Sequence, residues 1–423
     1  MIKKLEILVL SLLFVLLFSC ASSPKKNNQN NDSQNRNFYE PLKNEKNVKA
    51  DDFFKENVES FEKNAKDENT VVLLFAGDIM AHSENYQISS YDKIWRDVKN
   101  VFIDCDFSFA NIEAPVDETK PISYYPRFNM AQKYVQAAVD VGFNVISLCN
   151  NHTNDQFLTG INQTVLTFNR IKEKQQELGK NFYFSGLKEN EQSEFSYNII
   201  EKDDWKILFL PVTELLNRTD YADFINFIKT DENSRKNFAD YIANLKKKHP
   251  DAYFILSLHT SEPEYTRIVT EQQEKFYKTL LDFGVDIIWA NHAHIVKNRK
   301  IIVNTKNKND KLIMYSNGNT ISGQRRKPDL NSKNPNGERD NTGDGLFYKV
   351  TLKKENNGSV KIKKCEPIFI TTYINTANEF VLKKLDKDFV NYLYDVQRSN
   401  WAKYTEHRIK INKEETKDLI EWQ

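Results

Sequence analysis

The sequence predicts an α/β domain with a largely parallel core, preceded by an export signal and a polar tether. Continuous apolar runs of strand length alternate along the chain with amphipathic helical patterns. An unbroken apolar run indicates a strand buried on both faces, as in a parallel sheet covered by helices. The helical patterns over 131–141 and 271–283 each close on a glycine, the usual residue at a helix C-terminus. This alternation favours the α/β class.

The N-terminus resembles a bacterial lipoprotein signal. Lys3 and Lys4 precede an apolar run over 5–18, which is short against the roughly 20 residues of a membrane span. The run leads to Cys20, which would be lipidated as the mature N-terminus, although Phe18 stands where such signals usually have a small residue. An uncleaved N-terminal anchor is the alternative. Either interpretation predicts an exported protein held at a membrane of the cell envelope, on its periplasmic or surface face.

Residues 1–20 are therefore interpreted as a signal peptide and residues 21–67 as a polar, largely disordered tether. The tether is dominated by Asn, Lys, Asp and Glu, so it buries too little apolar surface to offset chain entropy. The whole chain has 60 basic and 59 acidic residues, and a formal net charge of +1 argues against bulk electrostatic capture of nucleic acid. Aromatic residues make up 12%, which excludes disorder of the entire chain.

Four apolar runs end directly before polar residues that can bind a metal or a proton. They are 71–76 before Asp78, 144–149 before Asn150, Asn151 and His152, 253–258 before His259, and 285–289 before His292 and His294. Polar ligands gather at the carboxyl ends of strands in α/β proteins, so we expect one shared site. On a strand, His292 and His294 would share a face. Taken singly, each histidine fits a hydrogen-bonded core or surface role better.

Asp78 and Glu113 offer carboxylates for such a site. Imidazole and oxygen ligands together suit Zn, Mn or Fe. Asn111 and Glu113 are two residues apart, so an extended backbone would aim both side chains the same way. Glu113 could then bridge two ions about 3.5–4 Å apart, with His152 as a general acid. A turn before Pro115 is the alternative for this segment.

Four short motifs occur in an order and spacing typical of one family. They are Gly77-Asp78, Asn111-Ile112-Glu113-Ala114-Pro115, Asn150-Asn151-His152 and His292-Ala293-His294. Asp155 three residues after His152, the turn at Ser185-Gly186 and the segment 315–319 agree with them. The chain thus resembles the CapA family of bacterial capsule and poly-γ-glutamate synthesis proteins over roughly residues 70–366.

The resemblance implies a branch of the calcineurin-like metallophosphatase superfamily, a four-layer α/β sandwich with a two-metal site. The metal ligands that it implies are Asp78, Glu113, Asn151, His259, His292 and His294. The catalytic candidates are His152 and Asp155, and the substrate-binding candidates are Asn111, Asn150, Glu262, Glu264 and Asn319.

The chain departs from the family in its loops. The superfamily's first motif is Asp-x-His, but Ile79 and Met80 follow Asp78, and His82 is no obvious substitute for the missing ligand. The family's Trp and Gly after the histidine at 259 are absent, so its acid corresponds either to Glu262 or to Glu264. Gln156-Phe157 stands where the family has an aromatic residue and a glycine.

These observations predict a surface lipoprotein of the CapA type that acts in capsule or poly-γ-glutamate biosynthesis. Its metal-dependent hydrolase-like site would act on a phosphoester or a γ-glutamyl amide, since a two-metal site can attack either bond. The alternative is a non-catalytic protein that binds, exports or anchors a polymer. The expected partners are a membrane, an anionic polymer such as poly-γ-glutamate, and capsule-assembly proteins, with no nucleic acid.

Two further regions have a predicted role. A local basic patch for a polymer, or else a solvated loop, is formed by Lys297, Arg299, Lys300, Arg325, Arg326 and Lys327. Residues 367–423 are predicted to be a C-terminal helical extension, with helical periodicity over 380–396. Trp401 and Trp422 are expected to pack this extension onto the domain.

Overall fold

A computed structural model describes residues 69–423. The predicted signal over 1–20 and the tether over 21–67 lie outside the described residues. Within them the strands are β1 (Thr70–Ile79), β2 (Phe107–Ile112), β3 (Val145–Ser147), β4 (Tyr183–Ser185), β5 (Asn198–Lys202), β6 (Trp205–Thr213), β7 (Tyr253–His259), β8 (Ile287–Asn291), β9 (Arg299–Val303), β10 (Lys311–Met314), β11 (Asn319–Ile321), β12 (Asp344–Lys354), β13 (Val360–Ile374), β14 (Phe380–Lys384) and β15 (Asp418–Trp422).

The α-helices of the described residues lie between these strands. They are α1 (Ser83–Tyr86), α2 (Asp92–Trp95), α3 (Gln132–Val141), α4 (Phe157–Glu177), α5 (Glu232–Lys248), α6 (Glu271–Asp282), α7 (Glu338–Asn341), α8 (Lys387–Asp395) and α9 (Ser399–Glu415). Short 3-10 helices cover Lys99–Phe102 and Ala222–Phe224. No helix within residues 69–423 has both the length and the apolar content that crossing a membrane requires.

The strands form two mixed sheets. The first has the order β14-β13-β12-β1-β2-β3-β4, with β11 also pairing with β1, and the second has the order β15-β9-β10-β8-β7-β6-β5. The runs β1-β2-β3-β4 and β6-β7-β8-β10 are parallel, and antiparallel pairs flank them. The predicted parallel core is therefore confirmed for the centre of each sheet.

The two sheets pack face to face and helices cover their outer faces. Phe109 of the first sheet contacts Phe209 and Trp289 of the second, at ring-centroid distances of 5.4 and 6.1 Å. The indole Nε1 of Trp289 donates to the Ala76 carbonyl at 2.8 Å, which joins the sheets directly. Separate apolar clusters lie under α3 and α4 on one side and under α5 and α6 on the other. The predicted four-layer α/β sandwich is confirmed.

Alternation along the strands explains how each strand serves two layers. In β1, Leu73 and Phe75 face the other sheet, whereas Leu74 and Ala76 face α3 and α4. Side chains two residues apart point to the same face, so a continuous apolar run fills both cores. Gly142 directly follows α3 with a φ of 139°, and Gly284 lies two residues after α6 with a φ of 122°. Both φ values favour glycine.

The C-terminal segment contains helices α8 and α9, but it also completes both sheets. Phe380–Lys384 is an edge strand of the first sheet, so the helical periodicity over 380–396 predicted the wrong element for its first part. Pairing with β13 outweighs the local pattern there. β15 pairs with β9 at the edge of the second sheet. Trp401 is buried against Tyr373, whereas Trp422 is 44% exposed.

A buried carboxylate joins this segment to the first sheet. Asp344, at the start of β12, accepts from Arg408 Nε at 2.7 Å and from Arg325 at 2.9 Å. It also accepts from Asn412 at 2.7 Å and from Thr371 at 2.8 Å. Burial alone would raise the pKa of the Asp344 carboxyl, but the two guanidinium groups outweigh burial and lower it.

We expect Asp344→Asn to lower the free energy of unfolding by about 3–5 kcal/mol, because Arg325 and Arg408 would stay buried without their counter-charge. Chemical denaturation at neutral pH measures the loss. Because the folded-state pKa is depressed, this contribution is present above the unfolded value of about 3.9 and disappears as the pH falls through the folded one. The difference between variant and wild type should therefore shrink in acid. The exposed control Asp251→Asn should change little, and an equal effect of both substitutions would contradict the assignment.

Candidate metal centre and catalytic cleft

The predicted ligands converge where the carboxyl ends of both sheets meet. Asp78 lies near the end of β1, Glu113 directly follows β2, and His259 ends β7. The backbone N–H of His292 donates to Asp78 Oδ2 at 3.3 Å, which links the end of the second sheet to the first. The structure thus brings together side chains that are up to 216 positions apart in the sequence, from 78 to 294.

Two overlapping groups of buried side chains share the Glu113 carboxylate. One group is Asp78, Glu113 and His294, and the other is Glu113, His259 and His292. Within each group the potential ligand atoms lie within 4.8 Å of one another. A carboxylate common to two ligand groups is the arrangement expected of a bridging ligand between two ions.

The surroundings of Glu113 fit a cation. The residue is fully buried, and within residues 69–423 neither carboxylate oxygen has a hydrogen-bond partner. The nearest ring nitrogens, in His259 and His294, are 3.8 and 3.9 Å from Oε1, beyond hydrogen-bond range. Burial, and then the charge of Asp78, raise the pKa of Glu113 well above its usual value. A buried charge of this kind requires a proton or a metal for compensation.

The histidines are suited to metal binding in different ways. Burial lowers the pKa of His259 and of His292 well below the usual value, so both rings are neutral, the form that coordinates metals. Burial would also lower the pKa of His294, but Asp78 at 3.5 Å outweighs it and raises that pKa. Asn151 Oδ1 lies 2.8 Å from His259 Nε2, which places this predicted ligand at the same centre.

The sequence predicted that His292 and His294 lie on a strand and therefore share a face, and this prediction is wrong. Both residues follow β8 rather than lying on it, and their φ angles are 101° and 57°. This left-handed backbone is uncommon for residues other than glycine and is typical of functional sites. Asn319 Oδ1 lies 3.0 Å from His294 Nδ1 and holds that ring in place.

His152 and Asp155 form a pair on the wall of the cleft. His152 Nδ1 lies 2.7 Å from Asp155 Oδ2, which also accepts from the backbone N–H of Phe128 at 2.8 Å. The Phe128 ring packs edge-on against the imidazole at 4.7 Å. Asn217 Nδ2 lies 3.2 Å from His152 Nδ1. The carboxylate therefore fixes one ring nitrogen and the orientation of the imidazole.

The cleft beside this pair has a volume of about 860 Å³ and is lined by residues of both sheet ends. Glu264 lines it and lies 3.8 Å from His292 Nε2, close enough to form a third potential ligand group with His292 and His294. Glu262 instead accepts from the hydroxyl and backbone N–H of Thr270, where α6 begins. Of the two acids that the sequence left open, only Glu264 faces the cleft.

The other predicted substrate-binding residues lie behind the ligands and do not line the cleft. Asn111 donates to Asp78 at 2.8 Å and accepts from Asn150 at 3.3 Å. Asn150 also donates to the Ile112 carbonyl at 2.8 Å. Asn319 contacts His294, as described above. These buried amides position the ligands and their loops rather than a substrate.

Met80 lines the cleft two residues after Asp78, where the superfamily's first motif has a histidine. His82 reaches the same cleft, but its Nδ1 accepts from the backbone N–H of Gly323 at 3.3 Å. Burial, followed by the nearby His294, lowers the pKa of His82 to about 3. Within the described residues, His82 belongs to none of the potential ligand groups.

The basic patch predicted around the histidines does not form. Lys297, Arg299, Lys300 and Arg325 are buried, in contact with Glu262, Asp418, Glu274 and Asp344 respectively. Arg326 and Lys327 alone of the predicted set line the cleft. The lining residues that the sequence did not single out include Arg127, Asn217, Arg218, Tyr265 and Arg339. The first four lie in loops after strands β2, β6 and β7, where the strand ends provided a signal in the sequence, and Arg339 lies in α7.

A four-layer sandwich with buried carboxylates and histidines at the carboxyl ends of both sheets is characteristic of the metallophosphatase-like class. The model of the family described as bacterial capsule synthesis protein PGA_cap matches residues 72–324. The chain belongs to this family, which is part of the metallophosphatase-like superfamily. The resemblance to CapA proteins is confirmed.

Two curated relatives support this membership. The chain is 24% identical over 262 residues to the PGA biosynthesis protein CapA of Bacillus subtilis (strain 168), covering 59% of this chain and 63% of that protein. It is 23% identical over 279 residues to the capsule biosynthesis protein CapA of Bacillus anthracis, covering 61% of each. The chain therefore spans about three fifths of the length of these relatives.

Among solved structures, a hypothetical protein from Thermus thermophilus matches 71% of this chain and 98% of its own, at 13% identity and a TM-score of 0.39.

We expect Glu113→Gln to have opposite effects with and without metal. In chelator-treated protein the neutral amide should raise the free energy of unfolding by about 1–3 kcal/mol, because the Glu113 carboxyl must either take up a proton on folding or stay charged without a partner, and the amide removes that cost. Added Mn²⁺ should stabilise the wild type and stabilise the variant much less, because the shared ligand is lost. Scanning calorimetry with and without Mn²⁺ measures both effects. The exposed control Glu118→Gln should respond to Mn²⁺ as the wild type does, and an equal response of Glu113→Gln would contradict a metal role.

Proposed function

We propose that this protein acts in capsule or poly-γ-glutamate biosynthesis as a metal-dependent hydrolase. The observation that carries the proposal is the Glu113 carboxylate, buried without a hydrogen-bond partner among the described residues and shared by two potential ligand groups. Two ions of Mn, Zn or Fe would be held by Asp78, Glu113, Asn151, His259, His292 and His294. Membership of the family and the names of the two curated relatives support the biosynthetic context.

The residues of the cleft have distinct tasks in this mechanism. Divalent ions, when bound, supply positive charge that activates water and polarises the bond to be broken. His152 lines the cleft and carries the proton that the leaving group needs, as a general acid. Asp155 orients the imidazole through Nδ1 and balances the charge of the protonated ring. The buried amides of Asn111 and Asn319 keep the ligand side chains in place, and Glu264 faces the cleft beside His292.

Two bond types remain candidates for this site. A phosphoester and a γ-glutamyl amide both present an electrophilic centre with oxygens that a cation can polarise, so the ligand set does not separate them. A second function, polymer binding without catalysis, is favoured by one observation. Met80 occupies the cleft at the position of the superfamily's histidine ligand, and a thioether is a poor ligand for hard divalent ions.

The proposed setting is the cell envelope. Lipidation of Cys20 would anchor the protein to a membrane and leave the domain exposed to its polymer. An anionic polymer such as poly-γ-glutamate and proteins of capsule assembly are the proposed partners. A net charge of +1 offers such a polymer no overall attraction, so it would be bound at the cleft.

The experiment that tests the activity uses the full-length chain in detergent. Metal content after native purification is measured first, and turnover is then assayed on phosphodiester and γ-glutamyl substrates with and without Mn²⁺. We expect metal-dependent turnover of one class. His152→Gln should lower kcat about 10²–10⁴-fold with unchanged metal content, because it removes the proton donor alone.

The outcomes of this assay separate the two functions. The control is His407→Gln, which should leave turnover unchanged. His407 is far from the cleft residues in sequence and belongs to none of the potential ligand groups of the described residues. A protein that holds no transition metal would refute hydrolysis. A protein that holds metal and binds polymer without turning over either substrate class would favour the binding function instead.

Anchoring is tested independently by Cys20→Ser. We expect the wild type in the membrane fraction with an incorporated acyl label, and the variant without the label, because a serine hydroxyl does not replace the lipidated thiol. Fractionation together with acyl labelling measures both. Cys105→Ser is the matched control and should remain labelled. A wild type that incorporates no label would refute the lipoprotein assignment.

A further inference from the structure

Three cationic side chains surround one aromatic ring beside the cleft. Arg218, Lys120 and Arg127 lie 4.5, 5.8 and 6.0 Å from the centroid of the Phe157 ring. The face of an aromatic ring attracts each cation, but the three positive charges repel one another. Lys120 is paired with the buried Asp117 carboxylate at 3.7 Å, so the charge left for an anion is carried by Arg127 and Arg218.

Phe157 is held in an unfavourable backbone conformation. Its φ is 62°, in the left-handed region that favours glycine, and a bulky side chain there is a genuine outlier. The ring is 36% exposed, so it is only partly used in the core. Strain of this kind persists where the neighbouring structure imposes it, and it is frequent at ligand sites.

The loop that carries Arg127 is fixed to the proposed catalytic pair. The next residue, Phe128, donates its backbone N–H to Asp155 at 2.8 Å and packs its ring on His152. Arg127 itself lines the cleft and is exposed. Within the described part of the chain its guanidinium has no ion-pair partner, so its charge is available to a ligand.

The loop that carries Arg218 is fixed to the same pair from the other side. Asn154 Nδ2 donates to the Arg218 carbonyl at 2.8 Å, and the preceding residue, Asn217, lies 3.2 Å from His152 Nδ1. Arg218 lines the cleft and pairs with Asp220 at 2.6 Å. The Asp220 side chain is 55% exposed, so solvent weakens its hold on the guanidinium.

We propose that Arg127 and Arg218, positioned by Phe157, form an anion subsite that binds a phosphate or carboxylate group of the substrate next to His152. Guanidinium groups bind both anions through paired N–H donors. The subsite rests on the proposed function in one respect: His152 protonates the leaving group, so the bound anion belongs to the leaving-group side of the substrate.

The subsite is tested on the full-length chain in detergent after treatment with a chelator, so that metals do not contribute. Calorimetric titration with inorganic phosphate and, separately, with glutarate identifies the preferred anion. Arg127→Gln and Arg218→Gln should each weaken its binding about 10-fold or more, because each removes charged hydrogen-bond donors. Arg170→Gln is the matched control, since Arg170 is an exposed arginine of α4 that does not line the cleft. No binding of either anion, or equal binding by wild type and both cleft variants, would overturn the subsite.

Phe157→Gly separates positioning from folding. Glycine adopts a φ of 62° without strain, so the melting temperature of the variant should be maintained or raised. Its affinity for the preferred anion should fall several-fold, because the guanidinium groups lose the ring that orients them. An unchanged affinity would assign Phe157 a purely structural role and overturn its part in the subsite.

The metal content of each variant is measured in parallel. A wild type without metal would refute the proposed hydrolase and leave anion binding intact, because the titration is made without metal. A wild type that hydrolyses its substrate but binds neither anion would refute the subsite alone.

Discussion

Glu113 is a carboxylate buried at the meeting point of two sheets, with no hydrogen-bond donor for either oxygen among residues 69–423. Leaving a charge in that position is costly, so its compensation governs the chemistry of the surrounding cluster. The neighbours supply little of it: Asp78 adds a like charge, and the rings of His259 and His292 are neutral because burial lowers their pKa values. A cation bound by these side chains would balance the carboxylate charges and use the neutral imidazole rings as ligands. The cluster therefore has the composition of a metal centre.

The sheets give the site a rigid scaffold, and several residues at the cleft have a strained backbone conformation. Phe157, Tyr265, His292 and His294 all have left-handed φ angles and all lie in or beside the cleft. Such conformations persist only where packing and hydrogen bonds over-determine them, as the Asp78 carboxylate does for the backbone of His292. The parallel centres of both sheets, packed through Phe109, Phe209 and Trp289, provide that support.

The C-terminal segment contributes to the same scaffold. It adds strands to the outer edges of both sheets, and Arg408 of α9 meets Arg325 on the carboxylate of Asp344. Arg325 directly precedes Arg326 and Lys327, which line the cleft. The ion pairs of Asp344 with Arg325 and Arg408 therefore fix the chain directly before Arg326 and Lys327. The C-terminal segment thus supports the site as well as the fold.

The sequence by itself determined the α/β class and the strand ends at which the candidate ligands appear, because apolar runs and their stopping points are local properties of the chain. The candidate ligand set itself came from the resemblance of its motifs to the CapA family. Only the tertiary structure showed that Glu264, and not Glu262, faces the cleft, and that the amides of Asn111 and Asn319 position ligand side chains. It also buried four cations of the predicted basic patch in ion pairs: Lys297, Arg299, Lys300 and Arg325. It also made a strand of residues 380–384 and brought Arg127 and Arg218 to His152. These outcomes depend on pairing and packing between residues far apart in sequence, whose energies exceed the local preferences that a sequence pattern records.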